Sequence, residues 1–135
     1  MRGCENGAMN SLFAVALGGA FGSVLRYLMA SAINLRLVDW RFPLGTFLVN
    51  VLGCLVIGLL SGMALKEGFF STEARLFLFT GILGGFTTFS AFELETFNLL
   101  RSGEVLVAGG YVLASVAVGL LAVWAGFNLM ARLAH

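Results

Sequence analysis

Hydrophobic residues fall in four long stretches, residues 12–33, 44–65, 76–100 and 105–129, with short polar connections between them. About 20 apolar residues cross a bilayer, so each stretch is long enough to span. Hydrocarbon offers no partners for backbone N–H and C=O groups, which leaves helices or a closed barrel. A barrel needs short strands of alternating polarity, so four helices are expected in one domain over residues 1–135. The connections are 34–43, 66–75 and 101–104, and Pro43 suits the first turn of the second helix. No internal repeat or low-complexity segment interrupts this plan.

The third stretch is the least regular. Residues 81–92 read GILGGFTTFSAF. A glycine costs about 1 kcal/mol against alanine inside a helix, and adjacent glycines beside adjacent threonines favour a break. The third helix is therefore expected to break between Gly84 and Thr88. Ser90 with Glu93 has the spacing of a capping box, which suits a restart just after the break. Broken backbone survives in a membrane where it is buried in protein, lines a wet cavity or binds an ion. The same residues also read as a packing device, with the hydroxyls bonding back to their own helix and the glycines allowing close approach.

Composition agrees with an integral membrane protein: 59% of the 135 residues are hydrophobic, 11% are charged and the mean hydropathy is +0.97, against about 25% charged in soluble domains. A cleaved signal peptide is not expected, because the first stretch is too long for an h-region. The net charge of +1 carries no sign of a nucleic-acid partner. Cys4 and Cys54 sit in different regions and suggest no disulfide framework. His135 is the sole histidine, and there is no HExxH, CxxC, GxSxG or phosphate loop. An enzyme is not expected.

Lysines and arginines divide evenly. Arg2, Lys66, Arg75 and Arg132 fall on one side of the membrane, and Arg26, Arg36, Arg41 and Arg101 on or towards the other. The positive-inside rule has no imbalance to act on. Insertion in both orientations is one reading, and a single charge near an end deciding the matter is the other.

Several polar residues sit within the spans. Thr46, Asn50 and Gly53 share a face of the second helix, so Asn50 serves either as glue between helices or as a ligand. Tyr111, Ser115, Gly119 and Gly126 form a stripe on the fourth. Phe89 and Phe92 lie three residues apart, either as packing or as positive ring edges turned towards an anion. Arg26 either snorkels to the interface or concentrates anions at a vestibule. Glu93 reads as a cap, and Glu95 shares the face of Phe92. The pairs Gly18/Gly22 and Gly58/Gly62 read as packing seams.

Taken together, GGAFGSVLRY at 18–27, PLGTFLVNVLG at 43–53, TGILGGFTTFSAFELE at 80–95 and GY at 110–111 resemble the Fluc (CrcB) fluoride channel family over nearly the whole chain. The resemblance implies a passive, fluoride-selective channel that exports fluoride across a prokaryotic cell membrane. It implies an antiparallel, dual-topology homodimer with two pores and a structural Na⁺ at its centre. By the same resemblance, Asn50, Phe89 and Phe92 are pore residues, and Thr88, Ser90, Tyr111 and Ser115 supply hydroxyls to the path. Arg26 and Glu95 belong to the vestibules, and the carbonyls of Gly84 and Thr87 hold Na⁺. Ala91 and Gly119 depart from the pattern, since relatives often carry hydroxyls there. The chemistry is consistent: a small, strongly hydrated anion needs amide, hydroxyl and ring-edge donors, while a ring of lysines or arginines would hold it too tightly.

Two alternatives belong to other classes. A small dual-topology multidrug transporter shares the length and span count but relies on a carboxylate in its first span, and residues 12–33 have none. A non-conducting membrane subunit would not need Asn50, the hydroxyls and the break together.

Overall fold

The computed structural model describes residues 2–36, 41–66 and 68–133, with side chains from residue 7 onwards in the first of these. The side chains of Arg2 and Cys4, and all of His135, lie outside the described residues. Among the described residues four helices are long and apolar enough to cross a membrane. The first is α1 (Arg2–Arg36) and the second α2 (Leu44–Met63). The third span, Thr72–Arg101, is composite: α3 (Thr72–Arg75), a π-helical segment (Leu76–Leu83), α4 (Gly84–Phe86) and α5 (Phe89–Arg101). The fourth is α6 (Val105–Leu133). The protein is a multi-pass, all-helical membrane protein.

The ends follow local chemistry. Pro43 stands immediately before α2 and contributes its carbonyl to the Phe47 N–H at 3.1 Å. Ser71 caps α3 by accepting from the Ala74 N–H at 3.1 Å. Gly68 and Gly103 turn the chain at φ +73° and +79°, in the left-handed region that side chains resist. Helix α1 has 35 residues, about 52 Å at 1.5 Å per residue. It outreaches a hydrocarbon core of about 30 Å, which is why it runs past the apolar stretch at 12–33.

The helix break falls on the threonines, not the glycines. Gly84 keeps helical angles (φ −63°, ψ −36°). Thr87 and Thr88 are extended, at −85°/156° and −149°/115°. Extended backbone suits β-branched side chains, so the two threonines take the break while Gly85 meets α1. The restart is capped by Thr88, whose Oγ1 accepts from the Ala91 N–H at 3.2 Å. Ser90 lies already inside α5 and is exposed, as is Glu93. The expected Ser90–Glu93 capping box is thus corrected: α5 starts earlier, and the residue three beyond its cap is Ala91, which has no carboxylate to return. The π-helical segment before α4 was not foreseen. Its wider turn shows where the Gly84 N–H reaches back to Phe79 O as well as Gly81 O.

Glycine seams bring the helices together in pairs. A Cβ on Gly18 would stand 2.6 Å from Phe77 O, and one on Gly22 would overlap Ile82 O, so α1 packs backbone to backbone on the π-helical segment. A Cβ on Gly126 would stand 2.5 Å from Leu55 O, and one on Gly58 would overlap Val123 O, which closes α2 on α6. Close approach through small residues is what holds helices together in lipid, where no hydrophobic force acts between them. Val49 and Tyr111 are fully buried where α2, α5 and α6 meet.

Candidate functional site

The stripe on α2 faces the third span along its length. Thr46 Oγ1 donates to Glu95 Oε1 at 2.6 Å. Asn50 meets the break in both directions, its Oδ1 accepting the Thr88 N–H at 2.8 Å and its Nδ2 donating to Thr88 O at 3.1 Å. Gly53 leaves room for Thr87, whose Cγ2 occupies the place a Cβ would take. Thr87 folds its own hydroxyl back onto Leu83 O at 2.8 Å.

Helix α6, packed beside α2, supplies a second partner for Glu95. The Tyr111 hydroxyl donates to Glu95 Oε2 at 2.8 Å. Both Glu95 oxygens are thus engaged, one from α2 and one from α6. The Tyr111 ring packs on Phe92 with centroids 5.1 Å apart, and Phe42 meets it edge-on, also at 5.1 Å. Phe92 stands 5.8 Å from Phe89. The rings form one run: Phe42, Tyr111, Phe92, Phe89. Phe92 is 8% exposed and Phe89 73% exposed, so one ring is held in the protein and the other projects from it.

Between α2, the third span and α6 lies a cleft of about 420 Å³. Asn50, Thr87, Thr88, Phe89, Phe92 and Ser115 line it, with Gly84, Cys54 and Phe79. The Ser115 Oγ is buried without a hydrogen-bond partner. A buried hydroxyl without a partner is costly, and this one belongs to a residue on the cleft wall. Gly119, one turn further, lies beside Cys54 Sγ.

The residues singled out from the sequence divide accordingly. Asn50, Thr88, Phe89, Phe92, Ser115, Gly84 and Thr87 are brought to one cleft. Ser90 is exposed beside it, its Oγ 3.4 Å from Thr88 Oγ1. Tyr111 and Glu95 lie behind Phe92, and the Tyr111 proton is committed to Glu95. Arg26 is half-buried on α1, outside the cleft lining. Two participants went unnoticed. Cys54 follows Asn50 by one helical turn, a spacing that could have flagged it. Phe42 lies outside the apolar stretches and carries no such signal. No group of three His, Cys, Asp or Glu side chains able to hold a metal occurs among the described residues. A cation here would have to take backbone or hydroxyl oxygens. Gly84 and Thr87 fit that description: the Thr88 N–H, which would otherwise close a helical turn onto Gly84 O, goes to Asn50.

Four spans around a polar break, with an amide, hydroxyls and phenylalanine rings on one cleft, define a small membrane protein built to handle a polar solute within the bilayer. Residues 13–127 match the family described as CrcB-like protein, Camphor Resistance (CrcB), and the chain belongs to that family. It is 54% identical over 122 residues to the fluoride-specific ion channel FluC of Methylobacillus flagellatus, covering 90% of this chain and 95% of the relative. It is 46% identical over 125 residues to the fluoride-specific ion channel FluC of Flavobacterium psychrophilum, covering 93% and 100%. The corresponding protein of Geobacter sulfurreducens is 49% identical over 118 residues, covering 87% and 94%.

Proposed function

We propose that this chain is a fluoride-specific ion channel, a passive pathway that lets fluoride leave the cell across the cytoplasmic membrane. The observation that carries this reading is the cleft itself, where the broken third span meets Asn50, Ser115 and the rings of Phe89 and Phe92, in a chain about half identical to channels of that name. Each of these groups can donate to a small anion without a fixed positive charge, so dehydration is compensated while release stays fast.

In this reading the working unit is an antiparallel homodimer with two pores. The even division of lysines and arginines supports insertion in both orientations. The exposure of Phe89 at the cleft supports closure by a second copy. Carbonyls of Gly84 and Thr87 from two copies would surround one Na⁺ at the centre, where hard, uncharged oxygens suit a monovalent cation. That cation would fix the geometry of the break and would not be transported.

The testing experiment is efflux from liposomes reconstituted with the purified protein, fluoride compared with chloride. Rapid fluoride release with no chloride release is expected. Equal release of both, or release of neither, removes the reading. A multidrug transporter is not favoured, since residues 12–33 contain no carboxylate.

A further inference from the structure

We propose that Asn50 is a positioning residue: its side-chain amide replaces the acceptor that the Thr88 N–H loses at the third-span break, clamps the Thr88 backbone and thereby sets the direction of Phe89 and Phe92. This deepens the channel reading and rests on it only for the consequence for ion flow.

The break creates a specific deficit. The Thr87 N–H still finds Leu83 O at 3.0 Å, but Thr87 then turns to ψ 156°. From there the Thr88 N–H has left the reach of Gly84 O, the acceptor an unbroken helix would give it. The Thr88 carbonyl, at the N-cap of α5, is placed to accept the first bond of that helix, and it also accepts from Asn50. The Thr88 N–H lies in a protein surrounded by lipid, where an unpaired backbone donor is severely penalised. A primary carboxamide presents a donor and an acceptor side by side. Asn50 uses both on one residue, Oδ1 towards the Thr88 N–H and Nδ2 towards Thr88 O, at 2.8 and 3.1 Å. One turn along α2, Gly53 receives Thr87 Cγ2. Helix α2 therefore pins both threonines, one by hydrogen bonds and one by shape.

The consequence runs forward along the chain. With its backbone held, Thr88 caps α5 through the Ala91 N–H, so the first turn of α5 starts at Phe89 in a fixed direction. Phe89 and Phe92 both leave from that turn. Asn50 is also largely spent. Its Oδ1 and one N–H serve the break, which leaves a single N–H for an ion on the cleft side.

The test is residue-resolved amide hydrogen exchange of the full-length protein in lipid nanodiscs without fluoride, comparing the natural chain with Asn50→Ala. The Thr88 amide should exchange faster by about an order of magnitude or more, the neighbouring cleft supplying water, while amides of α1 and α6 keep their rates. Unchanged Thr88 exchange would overturn the proposal, leaving Asn50 to act on the ion alone. A uniform rise across all spans would also overturn it, since that is general loosening. Asn50→Ser, whose hydroxyl cannot bond both groups, repeats the comparison should the alanine variant not assemble. Failure of the channel reading is seen separately: a protein that releases no fluoride, yet shows fast Thr88 exchange only in the variant, retains the positioning role.

Discussion

Tyr111 and Glu95 are joined across the α5–α6 interface, the phenol donating to Oε2 at 2.8 Å from a fully buried ring. The same ring packs against Phe92 with the two ring planes tilted by 56°. A polar anchor and an aromatic brace therefore share one side chain, and they can be separated by mutation.

Tyr111→Phe keeps the ring and deletes the anchor. Glu95 is left with Thr46 alone as donor. Removing one partner of a part-buried carboxylate costs about 1–3 kcal/mol, so the purified protein should unfold at lower temperature. Fluoride release should fall far less than in Tyr111→Ala, which removes the brace for Phe92 too. Equal activity in the two variants would mean that the ring contact has no bearing on the path.

The two phenylalanines should respond differently to isoleucine. Phe89 is 73% exposed, so Phe89→Ile should leave thermal stability nearly unchanged while lowering fluoride flux by an order of magnitude or more. Phe92→Ile should lower flux comparably and also destabilise, since an aromatic pair is worth about 0.5–1.5 kcal/mol beyond its buried area. Liposome efflux and thermal unfolding on the same preparations separate the effects. Natural flux in both variants would show the rings to be packing only.

Much of this architecture was legible from hydropathy, because a bilayer demands long apolar helices and tolerates little else. The irregularity of 81–92 was legible for the same reason: glycines and threonines stand out against such a background. Its place between 84 and 88 was legible too, but not which of those residues take the extended backbone. The glycines at 84 and 85 draw attention by propensity, but Gly85 is required for contact with Gly19, and the extended residues are Thr87 and Thr88. Asn50 was visible as a polar residue needing a partner, whereas the partner, the backbone of Thr88, has no sequence signature. Nor has the π-helical segment, whose residues LFLFTGIL would suit an ordinary helix.

The glycine seams give a direct contrast. A Cβ on Gly58 would overlap the Val123 carbonyl, a backbone atom that cannot swing aside. Gly58→Ala should force α2 and α6 apart at a cost of about 1–3 kcal/mol, typical of overpacking, and lower the yield of folded protein. Gly109, also in α6, has nothing near its missing Cβ. Gly109→Ala should be neutral or stabilise by up to about 1 kcal/mol through helix propensity. Chemical or thermal unfolding in detergent reads both, and similar losses would mean that the seam is not where the helices are held.

The proposed dual insertion rests on the balance of four positive charges against four. Adding two lysines to the turn at 102–104 should force one orientation and abolish flux when that variant is expressed alone. Co-expression with a variant biased the other way should restore it. Labelling of single cysteines placed in the 68–71 turn of the natural chain should find them on both sides of the membrane, and labelling on one side only would end the idea.

Gly84 offers the sharpest test of the proposed cation. Within a single chain nothing resists a side chain there: the nearest atom to a built Cβ is Phe79 O at 3.9 Å, and the backbone angles are helical. By propensity alone, Gly84→Ala should help the chain by about 1 kcal/mol. If two copies bring their Gly84 and Thr87 carbonyls around one Na⁺, the added methyl groups and any larger side chain crowd that centre instead. Gly84→Val should then lose fluoride flux while each chain folds, and Thr87→Ser, which keeps the backbone and the hydroxyl bond to Leu83 O, should keep it. Exchange of Na⁺ for a large organic cation should reduce flux in the natural protein and have little further effect on Gly84→Val. Full activity of Gly84→Val, in Na⁺ and without it, would mean that the carbonyls exposed by the break hold nothing on which the channel depends.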